Sequence, residues 1–257
     1  MAILPTGRHN VYLRHDVQTP SLQTPKNLFL ELRKKYTNNE NKRFIFSALD
    51  RLEEAVEESK RQNTPLNLSG ADLNVYLFYE HPLNFEKVLL ELYGKNAPKD
   101  PLYKAQLNGV KMALAHLEEA NLEEANLKWG NLFGIFFNKA NLKRANLEGI
   151  NSQEADWIEA KLNDANLYKA NLSWSNFTGA KLKRACLIGA KLEHARFNGA
   201  NLKEAKLTEA NLKEADLRGA NLKGAYVMWH GEKITGEELK KYLVNEFNVT
   251  VDENTRF

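Results

Sequence analysis

From Ala105 to Trp229 the chain divides into consecutive fives without one slip, beginning AQLNG, VKMAL, AHLEE, ANLEE and ending ANLKG, AYVMW. Of these 25 pentads, 20 begin with Ala and 18 carry Leu third. So long a register marks a repeat architecture, and it takes precedence over local propensity. A helix turns about 100° per residue, so leucines five apart would rotate by about 140° each and smear around the cylinder. The first and third residues of a pentad are two apart, which puts them on one side of an extended segment, while the second, fourth and fifth face out. Alternation within the pentad, with a corner between pentads, describes a coil with short straight sides.

The number of sides is also written in the chain. The aromatic third-position residues are Phe137, Trp157, Phe177 and Phe197, spaced by 20, with Leu117 and Leu217 closing the same column. Four pentads per turn stacks these rings on one another. At about 4.8 Å between strands, 25 pentads give a square rod of about six coils, about 30 Å long. Alanine lets the walls approach, leucine fills the centre, and Asn or Asp at the second position bonds locally at the bends. Helix propensity, worth tenths of a kcal/mol per residue, loses to leucine burial at about 2 kcal/mol each.

The tandem A-[N/D]-L-x-x pattern over residues 105–229 resembles the pentapeptide repeat family. The resemblance implies a mostly β fold, a right-handed quadrilateral β-helix, a handedness that the spacing does not supply. It implies no single activity. The arrangement of helical additions around the array is similar to that of pentapeptide-repeat effectors of intracellular bacteria, which implies delivery into a host cell.

The flanks read as four parts: a helical N-terminal region over 1–65, a first partial coil with a helical insertion over 66–104, the repeat over 105–229, and a cap helix with a tail over 230–257. Thr24 and Pro25 open a helix carrying Leu28, Phe29, Leu32 and Tyr36. A second helix over 41–61 carries Ile45, Ala48, Leu49, Leu52, Ala55 and Val56, and stops before Asn63-Thr64-Pro65. LNLSGADLNV, residues 66–75, supplies two more sides out of phase with Ala105. A helix over 84–93 and a linker, KNAPKDP, occupy the insertion. Thr235 and Glu238 form a capping box that opens a helix bearing Leu239, Tyr242, Leu243 and Phe247. That helix is expected to cover the end of the rod and favour a monomer, with the tail NVTVDENTRF loose.

Chemistry is sparse. A net charge of +3 in 257 residues describes neither a strongly basic nucleic-acid binder nor an acidic mimic of one. The single cysteine, Cys186, excludes an intramolecular disulfide and fits a reducing compartment. MAILP is too short for a signal-peptide core, and no run approaches the ~18 apolar residues of a membrane span. The expectation is a cytoplasmic protein, or one delivered to a host cell by a route independent of a signal peptide. The histidines, His9, His15, His81, His116, His194 and His230, show no metal-ligand spacing. No nucleophile elbow or phosphate loop is present, so no catalytic residue, metal or cofactor is assigned. Arg8, His9, Arg14, His15 and Asp16 are the one polar cluster in which an enzyme could be sought.

Two sets of outward residues break the pattern. Trp129, Phe133, Phe136, Tyr168, Trp174 and Ile188 are large and apolar where the repeat is polar, which suits protein contact. Phe133 and Phe136 are expected to lie under the chain's own N-terminal helices, leaving Tyr168, Trp174 and Ile188 for an external partner. The wall that begins at Ala120 carries Lys143, Arg144, Lys161, Lys181, Lys183, Arg184, Lys203 and Lys223 against Glu123, Glu124, Asp164 and Glu204, net +4. It is a candidate anion-binding wall. The favoured function is a non-enzymatic protein-interaction scaffold. The alternatives are a DNA mimic that inhibits an enzyme such as gyrase, which the basic charge disfavours, and weak attachment of the basic wall to anionic surfaces.

Overall fold

The computed structural model describes residues 42–71, 73, 89 and 98–257. The expected helices over 24–36 and 84–93 and the cluster around His15 lie outside them, apart from Leu89, which is helical and buried. Within the array, each second-position residue pairs in parallel with the residue 20 later, from Gln106 with Asn126 through Lys206 with Tyr226. The coil therefore has four sides. Side 1 begins at Ala105, side 2 at Val110, side 3 at Ala115 and side 4 at Ala120, each recurring every 20 residues.

Backbone accounting explains why the pentad closes. The N–H of Leu107 donates to Asn126 O at 2.7 Å, Asn126 N–H to Ala105 O at 2.9 Å, and Gly109 N–H to Lys128 O at 2.7 Å. These three bonds tie the second, third and fifth residues to the neighbouring coil. The first residue of the next pentad donates backwards, as Val110 does to Leu107 O at 3.1 Å. The fourth N–H is met by the second-position side chain, as when Lys203 N–H donates to Asn201 Oδ1 at 3.1 Å. This is the physical use of the recurrent Asn. Where Lys181 replaces it, Lys183 N–H turns to Asn163 Oδ1 of the preceding coil at 3.2 Å.

The corner has its own requirement. Every fifth residue from Lys104 to Gly224 has positive φ, the demand of a turn with a left-handed third position. Most of these residues are not glycine: Leu114, Trp129 and Trp174 sit there at φ 60°, 61° and 65°. Each carries a cost of about 1 kcal/mol that the inter-coil bonds and the buried core offset.

Inside, the first- and third-position side chains form one continuous buried cluster. The predicted column is present: Phe137–Trp157, Trp157–Phe177 and Phe177–Phe197 have ring centroids 4.5, 5.6 and 4.9 Å apart. Trp157 is fully buried and its indole N–H meets no acceptor among the described residues. On the preceding side of the same coil the third residue is Ser152, also fully buried, where the pattern has Leu. The smallest third-position side chain thus stands beside the largest, which offsets part of the volume of the indole.

Both ends depart from the repeat. Leu68 N–H bonds to Gln106 O and Leu73 N–H to Lys111 O, each at 2.8 Å, so residues 66–71 with Leu73 lie along sides 1 and 2 of an incomplete coil. Lys104 N–H bonds to Glu123 O at 3.0 Å and Leu102 is buried, so residues 100–104 already form side 4. The end of the segment read as a linker is therefore wall. Helix α1, Lys42–Gln62, buries Ala48, Leu49, Leu52, Ala55 and Val56 in the same cluster as Leu66 and Leu68. It stops at Asn63, whose φ of 51° suits a left-handed cap.

At the other end, strands β1, Val227–Trp229, and β2, Glu232–Ile234, form a hairpin across His230 and Gly231, both at positive φ. Helix α2, Gly236–Phe247, follows with Leu239 and Leu243 buried. Thr235 occupies its N-cap with extended backbone but makes no side-chain capping bond, so the predicted capping box does not form. The tail is not loose either. Phe247 O accepts from Glu214 N–H, Thr250 pairs with Asp216 on side 3, and Arg256 pairs with Asn221 on side 4. The last coil is thus completed by non-repeat chain, with α2 beside side 2.

Overpacking tests this interior. Ser152→Leu should destabilise the protein by about 1–3 kcal/mol in urea unfolding. The same change in a Trp157→Phe background should cost clearly less, because the neighbouring ring has shrunk.

Candidate interaction surfaces

Side 2 carries the least charge where its outward residues are broadest. Across three successive coils they are Asn131 and Phe133, then Asn151 and Gln153 with Glu154, then Asn171 and Ser173 with Trp174. Trp129 stands at the corner with side 1 and Trp174 at the corner with side 3. Both are more than half exposed, at 57% and 59%.

Both rings are seated by the coil that follows. Gly149 lies under Trp129, and a Cβ there would fall 2.0 Å from the indole, so the ring rests where a side chain would be. Lys128 places its ammonium 5.3 Å from that ring and pairs with Glu148 at 2.9 Å. Trp174 stacks on His194 with centroids 3.9 Å apart, and His194 Nδ1 lies 3.4 Å from Glu214. Alongside, Ser173 Oγ donates to Glu193 at 2.7 Å and Asn211 Nδ2 donates to the same carboxylate at 2.8 Å. The edge between sides 2 and 3 is therefore braced across three coils.

The other apolar candidates separate. Tyr168 and Ile188 are half-buried neighbours in one column of side 1, with Lys169 5.0 Å from the Tyr168 ring. Phe136 belongs to side 3, where it stacks on His116 at 4.5 Å, and His116 Nδ1 meets Glu118 Oε1 at 2.7 Å. His116, one coil earlier, thus covers one face of its ring. Phe133 is half-buried on side 2. The histidine stacks escaped the sequence reading, although the 20-residue spacing from His116 to Phe136 and from Trp174 to His194 follows the rule that revealed the inner column. Met228 and Trp229, exposed at the end of side 1, were also missed.

On side 3, burial and the Glu118 carboxylate push the Asp156 carboxyl up, partly offset by Arg196. The Arg218 guanidinium holds Asp216 down to about 2. On side 4 the arginines are engaged: Arg144 bonds to Glu123 and Glu124, and Arg184 grips Asp164 through both oxygens at 2.6 and 2.7 Å. These pairs lower the Asp164 and Glu124 carboxyls. Of the basic wall, Arg144 and Arg184 are thus taken by acids, and Lys203 lies 3.6 Å from Glu204. Cys186 is a half-buried free thiol on side 1. Among the described residues there is no metal-ligand cluster, and no helix is long and apolar enough to cross a membrane.

Comparison with known proteins finds the family model described as pentapeptide repeats, in eight copies, over residues 102–138, 140–184 and 185–224. Among solved structures, the chain is 31% identical to the pentapeptide repeat protein Rfr23 of the cyanobacterium Cyanothece 51142, covering 46% of this chain and 63% of that one, at TM-score 0.19. The match thus spans less than two thirds of that relative. It is 25% identical to HetL of Nostoc, a pentapeptide repeat protein involved in heterocyst differentiation regulation, covering 65% and 87% at TM-score 0.18. It is 17% identical to full-length QnrB1, a plasmid-mediated fluoroquinolone resistance protein, covering 47% and 69% at TM-score 0.23. No curated protein matches.

Two glycine variants test how Trp129 is held. At Gly199 nothing lies within 4 Å of an added Cβ, so Gly199→Ala should cost only the left-handed backbone term, about 1 kcal/mol. Gly149→Ala should cost more and shift the Trp129 resonance of a fluorotryptophan-labelled sample, because the indole must leave its seat.

Proposed function

Because this chain is a pentapeptide-repeat protein across residues 102–224, we propose that it acts as a rigid, non-enzymatic scaffold that binds a protein partner through side 2. Proteins of this kind are generally non-enzymatic and often serve protein interaction. The observation that carries the reading is a panel of amides and Phe133, nearly free of charge, framed by two seated and exposed tryptophans. Interface centres are depleted in charge and enriched in aromatic residues, and rings fixed before binding lose little freedom when a partner arrives. Tyr168 and Ile188 extend the contact around the corner onto side 1.

The host-delivered effector reading adds a class of partner, a host protein, and leaves the surface unchanged. DNA mimicry is the weaker alternative. A mimic of duplex charge needs a continuous acidic face, whereas side 4 shows lysine on lysine, with Lys161 and Lys181 paired across adjacent coils.

The test is capture of binding partners from source cells by the full chain and by a Trp129→Ala/Trp174→Ala variant. The double variant should unfold within about 1 kcal/mol of the parent, since both rings are exposed, and should weaken the captured complex by at least about 2 kcal/mol. Unchanged capture by the double variant, or loss of capture only on removing residues 1–41, would move the contact away from side 2.

A further inference from the structure

We propose that side 4 is a docking face for an anionic lipid surface, independent of the protein contact on side 2. The ion pairs decide which cations are available. Arg144 and Arg184 are held by Glu123, Glu124 and Asp164, and those pairs also remove most of the acid that dilutes the wall. What remains is Lys143, Lys161, Lys181, Lys183 and Lys223, none of which has an ion pair among the described residues, whereas Lys203 lies beside Glu204.

The closing tail adds a further charge. Arg256 pairs in register with Asn221 and is exposed, so it continues the second-position column that contains Lys161 and Lys181. A segment that the sequence alone leaves outside the repeat thus contributes to the wall.

Lys161 and Lys181 are bridged neighbours about 4.8 Å apart along the coil axis, and Lys183 shares a pentad with Lys181. Like charges placed opposite one another destabilise a sheet. Nothing in the backbone requires lysine there, since Asn occupies the same column at Asn141, Asn201 and Asn221 and caps its own turn.

The chemistry of the wall selects the occupant. Its free cations are mostly lysines, which act as point charges, while its fork-shaped arginine donors on sides facing Glu and Asp are engaged. Side 4 has one exposed ring, Tyr103 in its first pentad, and none from Asn121 to Gly224, so no base could stack along the lysine columns themselves. A straight wall presents its two lysine columns to a plane at once, whereas a duplex cylinder meets it along a line. Clusters of four to eight Lys or Arg at a bilayer surface bind acidic lipids, and the attraction falls off within a Debye length.

The test is co-sedimentation of the full chain with vesicles of phosphatidylcholine alone or with about one third phosphatidylserine. Binding should need phosphatidylserine and should vanish at about 0.5 M salt. Lys181→Ala/Lys183→Ala should weaken it about 25-fold, about fivefold per lysine, while Lys191→Ala on the opposite wall, side 2, should leave it unchanged. A Trp129→Ala/Trp174→Ala variant should still bind vesicles, which separates failure of this proposal from failure of the side 2 reading. No binding to acidic vesicles at low salt, equal loss with Lys191→Ala, or tighter binding to a 20-base-pair duplex than to the vesicles would overturn it.

Discussion

Everything in this molecule hangs on the parallel hydrogen-bond ladder between coils, in which a residue meets its equivalent 20 positions later. The ladder satisfies three of the five N–H groups in each pentad, the corner bond a fourth, and a side-chain amide the fifth. With the backbone satisfied locally, no helix or broad sheet is needed to bury alanine and leucine. The constraint it imposes is a left-handed residue at every corner, and the chain accepts this at Glu, Lys, Arg and even Trp. Those outward corners are also where Trp129 and Trp174 stand. The surface therefore inherits its rigidity from the same geometry that builds the core.

A stack of open coils has two ends at which ladder and core would meet water. At the start, α1 and the partial coil, through Leu66, Leu68, Ala71 and Leu73, share one buried cluster with the array. At the finish, α2 packs Leu239 and Leu243 inward, and the tail supplies Thr250 and Arg256 to sides 3 and 4. Stopping the strand ladder with helix and irregular chain, instead of another pentad, is what keeps a solenoid from extending end to end.

The four-sided coil was legible because its signals are periodic: the Ala and Leu register gave inside and outside, and the column from Phe137 to Phe197 gave the count of sides. Handedness came from family resemblance alone. The tail was not legible, because Thr250 and Arg256 match the pattern only in backbone register, which their side chains do not encode. The capping box at Thr235 failed for the opposite reason: its residue types fit, but the hydroxyl does not reach a donor. On the surface, sequence found the unusual residues but could not say which were engaged. Arg184 looks as free as Lys183 until Asp164, one coil earlier, is placed against it. Phe136 is expected beneath the N-terminal helices, and its stacking on His116, one coil earlier, is a contact that expectation leaves out.

The walls thus carry different chemistry on one frame: an amide and aromatic panel on side 2, a lysine face on side 4, and a scaffold between them. That division depends on residues 20 apart being neighbours and residues 10 apart facing opposite ways. Pyrene labels on paired cysteines in a Cys186→Ala background measure it directly. Labels at Asn171→Cys and Lys191→Cys, on bridged positions of side 2, should give strong excimer emission. Labels at Asn171→Cys and Lys181→Cys, closer in sequence but on opposite walls, should give none. Excimer emission from the second pair, or its absence from the first, would contradict the four-sided coil.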